Sequence, residues 1–140
     1  MTELQKDLLR ALLNDALAEP GEGEMSLAAL FYKRLFTVAP GVRELFHNPI
    51  RTQEVKFAVM LEHLRDGLDR LDNLVPLLWH TGRNHRQYGA EPAHYVVVGE
   101  ALLWALEQKL GQERLTPDVK AAWNELYAFI SLTMQEAAKA

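Results

Sequence analysis

Apolar residues recur along this chain at steps of three and four, the period of a buried helix face. Leu4, Leu8, Leu9, Leu12, Leu13, Ala16 and Leu17 make the first such stripe, with Thr2 placed to cap it. Pro20, Gly21 and Gly23 end it within AEPGEGE. A second helix is expected over Glu24 to Val38, with Leu27, Leu30, Phe31, Leu35 and Phe36 facing inward. Pro40 opens a short third helix that ends near Phe46, and His47 to Arg51 form a turn around Pro49. From about Thr52 a fourth helix carries the stripe Phe57, Met60, Leu61, Leu64, Leu68 and Leu71. Asp72 is the expected cap of the next helix, which admits Pro76 in its first turn and ends near Arg86. Pro92 starts a long helix that Gly111 stops at Leu110. Thr116 and Pro117 then cap and open a last helix, reaching about Ala137. Tyr95 to Val98 is rich in β-branched residues, but a helix-opening proline precedes it and a helical stripe follows.

The pattern predicts an all-α chain of six to seven helices of unequal length, which argues against a regular four-helix bundle. With 140 residues, the expectation is one domain over residues 1–140 with a sizeable buried core. Hydrophobic residues at 49% and charged residues at 24% are ordinary for a globular protein and exclude intrinsic disorder.

Fifteen Lys and Arg against 19 Asp and Glu leave a net charge of −4, with no dense basic block. That balance argues against a nucleic-acid partner. The absence of cysteine removes disulfides, thiolate metal sites and cysteine nucleophiles, and is compatible with a cytoplasmic location. Charges in MTELQKDLLRALL break any secretory apolar core, and no stretch has the length of a membrane span. Glycine-rich phosphate loops, H-E-x-x-H and G-x-S-x-G are missing. The two serines, Ser26 and Ser131, are not near a histidine in sequence, so hydrolase or kinase chemistry has no candidate residues.

Three polar residues interrupt otherwise apolar faces. Leu74, Leu78, Thr81 and His85 follow at steps of four, three and four, which puts His85 at the inner end of a stripe. His80 falls on another face with Pro76 and Asn84, His63 lies on the face of Lys56 and Val59, His94 is in a first turn and His47 is in a turn. A lone inward histidine can simply bond a backbone carbonyl. One imidazole cannot hold a bare metal ion, but it can be the single protein ligand of haem iron. Tyr32 lies beside the apolar face of the second helix, and Gln53 extends the stripe of the fourth by one turn. A buried phenol or amide needs a partner. A tyrosine reaching water and a glutamine capping its helix are the plainer readings, yet the two put donors on inward faces of two helices.

In sum the chain resembles the bacterial single-domain globins of the flavohaemoglobin and Vitreoscilla-haemoglobin class. The matching strings are FYKRLF (Phe31 to Phe36), AP-x-VR-x-LF (Ala39 to Phe46), LDNLVPLL (Leu71 to Leu78), GRNHRQYG (Gly82 to Gly89), HY-x-x-VGEALL (His94 to Leu103) and AAW-x-x-x-Y (Ala121 to Tyr127). They span nearly the whole chain in the family's order. The resemblance implies a three-over-three globin fold holding haem b. It implies His85 as the proximal iron ligand, with Tyr32 and Gln53 as the distal pair. Phe46 then packs on the haem, Phe57 covers the distal face, Lys56 meets a propionate, Tyr95 neighbours the proximal histidine, and Val98 adds to the haem pocket.

The chain departs from that family at one place. Where the family carries a glutamate in its last helix, bonded to the proximal histidine, Ala138 stands here, with Glu136 two residues out of register. A histidine without its carboxylate is a less basic ligand, which favours oxygen binding over peroxidase-like chemistry. The family's larger members add a flavin and NADH reductase region. This chain is expected to depend on an outside electron donor. The expected function is reversible dioxygen binding, for storage or delivery, at a five-coordinate ferrous iron. The alternative is nitric oxide dioxygenation, a detoxifying reaction that needs a separate reductase, so enzyme status stays open. Nitric oxide and other diatomic gases are the further expected ligands. A haem-free helical interaction module and a gas sensor with a partner protein are the competing classes. Oligomeric state is not encoded in any readable feature.

Overall fold

The computed structural model describes residues 1–140. Six α-helices follow one another: α1 (Glu3–Ala16), α2 (Leu27–Val38), α3 (Ile50–Asp66), α4 (Val75–Gln87), α5 (Pro92–Leu110) and α6 (Pro117–Lys139). Tighter 3-10 turns at Pro40–Leu45, Leu68–Leu74 and Gln112–Arg114 join three of the pairs. No strand forms.

Local chemistry explains most boundaries. The Thr2 hydroxyl accepts from the Gln5 amide at 3.1 Å while the Gln5 side chain accepts from the Thr2 amide at 2.9 Å, a reciprocal cap that satisfies two amides of the first turn. Thr116 caps α6 by accepting from the Val119 amide, with Pro117 as the first helical residue. Gly111 ends α5 with φ +92°, where a side chain would be strained.

Four boundaries differ from the sequence reading. The α3 helix begins at Ile50, so Ile50 and Arg51 are helical and not part of the turn around Pro49. The second helix begins at Leu27 rather than Glu24, because the Ser26 hydroxyl accepts from the Ala29 amide and caps it there. Glu24 instead accepts from the Gly21 amide and pairs with Lys109. The α3 helix stops at Asp66, so Leu68 and Leu71 belong to a 3-10 segment and not to its stripe. Leu68 is still fully buried, so its period was correct in burial and wrong in helix type. Asp72 caps nothing. The 3-10 segment runs straight into α4 at Val75, and no side chain caps that junction.

The helices pack as two layers around one core. The α4 helix lies on α6 and α2 lies on α5, while α1 bridges α6 and α3, and α2 crosses α3. Leu9, Leu12, Leu13, Leu106 and Leu126 close one end of the core, each essentially without solvent contact. Toward the other end the core opens into a cleft between α2 and α3 on one side and α4, α5 and α6 on the other.

Candidate functional site

That cleft encloses a cavity of about 460 Å3 with a mainly apolar lining. Its size and character fit a small-molecule or cofactor site. All eight residues singled out in the sequence line it: His85, Tyr32, Gln53, Phe46, Phe57, Lys56, Tyr95 and Val98. They come from α2, the turn after Leu45, α3, α4 and α5.

His85 is on the last turn of α4. Its Nδ1 lies 2.7 Å from the Thr81 carbonyl oxygen one turn earlier. A carbonyl can only accept, so Nδ1 carries the hydrogen and Nε2 keeps its lone pair. The ring is accessible through the cleft and otherwise packed in by protein. That desolvation lowers its pKa below the ordinary imidazole value, with the Thr81 carbonyl pulling the other way. The result is a neutral imidazole with one free nitrogen lone pair on the cavity.

Tyr32 is buried in a cage of phenyl rings. Phe31 and Phe46 meet it edge-on at centroid distances of 4.9 and 5.6 Å, and Phe57 and Phe36 stand 5.8 Å away. Its hydroxyl bonds to no protein group, yet no sealed polar side-chain atom in the protein lacks a partner. The oxygen therefore touches the cavity that Tyr32 lines. Burial first, and then the charge of Glu54, push its pKa far up, so the phenol stays a donor at all physiological pH values. Gln53, half-buried in the first turn of α3, also leaves its amide free and lines the same cavity. Its backbone amide bonds the Pro49 carbonyl, so the side chain is not needed as a cap.

His47, Asn48, Lys56, Asn84, Tyr88 and His94 add further polar groups to the lining. The sequence put Asn84 on the face of His80, away from the stripe that ends at His85. The two side chains do bond, at 3.1 Å, but Asn84 also reaches the cavity wall. His94 Nδ1 accepts from the Glu91 amide at 2.8 Å and so fixes the start of α5. His63 lines a separate groove with Val55, Val59 and Leu77.

Glu136 does not replace the missing carboxylate. It is exposed and makes no bond to His85 or Tyr95. At position 138 the backbone carbonyl is engaged instead, accepting from Arg86 at 2.6 Å.

Tyr127 was not singled out as a site residue. It lines the cavity and donates its hydroxyl to the Tyr95 carbonyl, tying α6 to α5 beside the site. Trp123, Tyr127, Ile130 and Met134 follow at helical steps and all line the cavity, a stripe that the sequence does display. Gly99 makes the approach possible, since a Cβ there would stand 2.7 Å from the Tyr127 ring.

A family model described as globin matches residues 29–134, the stretch that carries every residue of the cleft. The chain belongs to the globin family. Among curated globin relatives, the flavohemoprotein of Bacillus subtilis is 31% identical over 109 residues, covering 76% of this chain and 27% of that protein. The flavohemoprotein of Halalkalibacterium halodurans is 29% identical, and this globin covers 94% of itself but only 31% of that relative. The chain thus spans about a third or less of the flavohemoproteins it matches. Among solved structures, an engineered carbene transferase made from a candidate nitric oxide dioxygenase of Rhodothermus marinus superposes with TM-score 0.80 at 26% identity, over 99% of this globin and 94% of that chain. A bacterial globin from Campylobacter jejuni shares the fold, with TM-score 0.81 at 23% identity over 99% and 96% of the two chains.

Proposed function

We propose that this globin holds haem b in the cleft and binds dioxygen reversibly at a five-coordinate ferrous iron, for storage or delivery. One observation carries the reading. A single cavity presents a neutral imidazole with a free Nε2 and a caged phenol whose hydroxyl has no protein partner. A haem-free helical module has no use for that pairing. The residues fit the group. The apolar lining suits a porphyrin, His85 would be its one protein ligand, and Lys56 at the wall would meet an anionic propionate.

When bound, the haem would supply an iron able to bind a diatomic gas. The chain supplies the rest. His85 would hold the iron through its Nε2 lone pair, and the Thr81 carbonyl fixes the ring through Nδ1. A carbonyl is a weaker acceptor than a carboxylate, so the imidazole gains little anionic character. That favours reversible binding over bond-breaking chemistry. Tyr32, kept protonated by burial, and the Gln53 amide are the donors that would face a partly negative gas ligand. Each hydrogen bond to a charged acceptor contributes about 1.5–3 kcal/mol. Phe31, Phe46 and Phe57 keep water from competing for those donors.

A second reading is nitric oxide dioxygenation, favoured by the likeness to the Rhodothermus marinus protein. Nitric oxide, dioxygen and one electron give nitrate, so this activity draws on a separate reductase. The same three residues serve both readings.

The test is the visible absorption of the haem-loaded protein, ferric, reduced and then in air, for wild type and His85→Ala. An intense band near the blue edge that moves on reduction, moves again with oxygen and is lost or altered in His85→Ala supports the proposal. Failure to take up haem overturns it. Nitric oxide consumption with NADH and a cell-derived reductase separates the two readings.

A further inference from the structure

The α4 and α6 helices share the most extensive helix packing in the fold, and two of its contacts are spaced alike. Gly82 abuts the backbone of Met134 so closely that a Cβ there would stand 2.8 Å from the Met134 Cα. One turn further along both helices, the Arg86 guanidinium donates to the Ala138 carbonyl at 2.6 Å. Ala138 is in the final turn of α6, where carbonyls have no helical donor. The bond is charge-assisted, spans 52 residues of sequence and satisfies one of those carbonyls.

The packing of α4 on α6 limits how closely the helices approach, and the Arg86–Ala138 bond adds a directional tie that restrains α4 from rolling about its own axis. His85 projects about 100° around α4 from Arg86, the angle between neighbours on a helix. The roll of α4 therefore sets the direction in which the imidazole enters the cleft. The Thr81 bond cannot set it, because Thr81 rides on the same helix and turns with it. Gly82 supplies contact without a bond, so it limits approach but not sliding.

We propose that Arg86 is a positioning residue for His85. The last turn of α6 holds α4 at Arg86, next to His85 in the chain, through the Ala138 carbonyl. The link orients the ring and leaves its Nδ1 to Thr81. This inference rests on the haem reading for its spectroscopic consequence, but its structural core does not.

The experiment compares wild type, Arg86→Ala and Arg86→Lys as haem-loaded proteins. The ferrous iron–histidine stretching band is read by resonance Raman, and amide hydrogen exchange is read along α4. Arg86→Ala is expected to shift and broaden the band and to speed exchange of the amides around His85 several-fold. Arg86→Lys, which can still donate to a carbonyl, is expected to restore both. A band and exchange pattern unmoved in Arg86→Ala, or moved equally in Arg86→Lys, overturns the assignment. If no variant takes up haem, the haem reading falls, and exchange in the haem-free proteins still decides whether Arg86 holds this turn.

Discussion

Phe31 and Phe57 stack nearly parallel, with ring centroids 4.3 Å apart and planes 6° from parallel. Phe31 belongs to α2 and Phe57 to α3, so the pair sets the spacing of the helices that carry Tyr32 and Gln53. Phe31 is buried and packs on the Tyr32 ring as well. Phe31→Ala is expected to destabilise the protein by about 3–5 kcal/mol, the range for deleting a buried phenyl ring. Urea unfolding measures this. A midpoint at the wild-type value would mean that the stack does not hold the two helices.

Tyr32→Phe should leave folding almost unchanged, because the hydroxyl bonds to no protein group. Under the proposed function its oxygen dissociation rate rises by about tenfold or more, matching the loss of a charge-assisted bond of about 1.5–3 kcal/mol. Stopped-flow oxygen displacement with unfolding on the same samples checks both halves. An unaltered off-rate removes Tyr32 from the distal role.

Gly82→Ala places a methyl group against the Met134 backbone, which cannot swing aside as a side chain could. Overpacking of this kind costs about 1–3 kcal/mol. The Tm should fall, and the α4 amides should lose exchange protection before those of α1. An unchanged Tm would show that α4 and α6 separate freely.

Burial holds the His85 pKa below the ordinary imidazole value. The unfolded chain thus takes up a proton at a pH where the folded protein has not. In the haem-free protein, this contribution to stability is fully present above the unfolded value of about pH 6.5 and is lost as pH falls toward the folded value. His85→Leu should show a shallower loss on acidification, with the other histidines common to both proteins. Urea midpoints on either side of about pH 6.5 test the sign. Parallel curves would mean that the ring is not desolvated.

Glu136→Gln is expected to leave the iron–histidine band of the loaded protein where it is, because this carboxylate is exposed and bonds neither His85 nor Tyr95. A shift would place a carboxylate back on the proximal side.

Much of this architecture is legible in the chain itself. The stripes, the Thr2 and Thr116 caps and the stop at Gly111 are written in residues a few positions apart. Short-range hydrogen bonds and helical periodicity decide them, and the same periodicity turned His85, Tyr32 and Gln53 inward. Tertiary structure decided the rest. Leu68 and Leu71 continue a helical period, yet the backbone there tightens into 3-10 turns and kinks at Arg70, because the connection from α3 to α4 outweighs a weak local preference. Asp72 has the chemistry of a cap but no free helix start beside it. The bonds from Arg86 to Ala138 and from Tyr127 to Tyr95 join residues 52 and 32 positions apart. Each acceptor is a backbone carbonyl, which every residue carries, so side-chain identity cannot mark the partner. Only the packing of α4 and α5 against α6 brings donor and acceptor together.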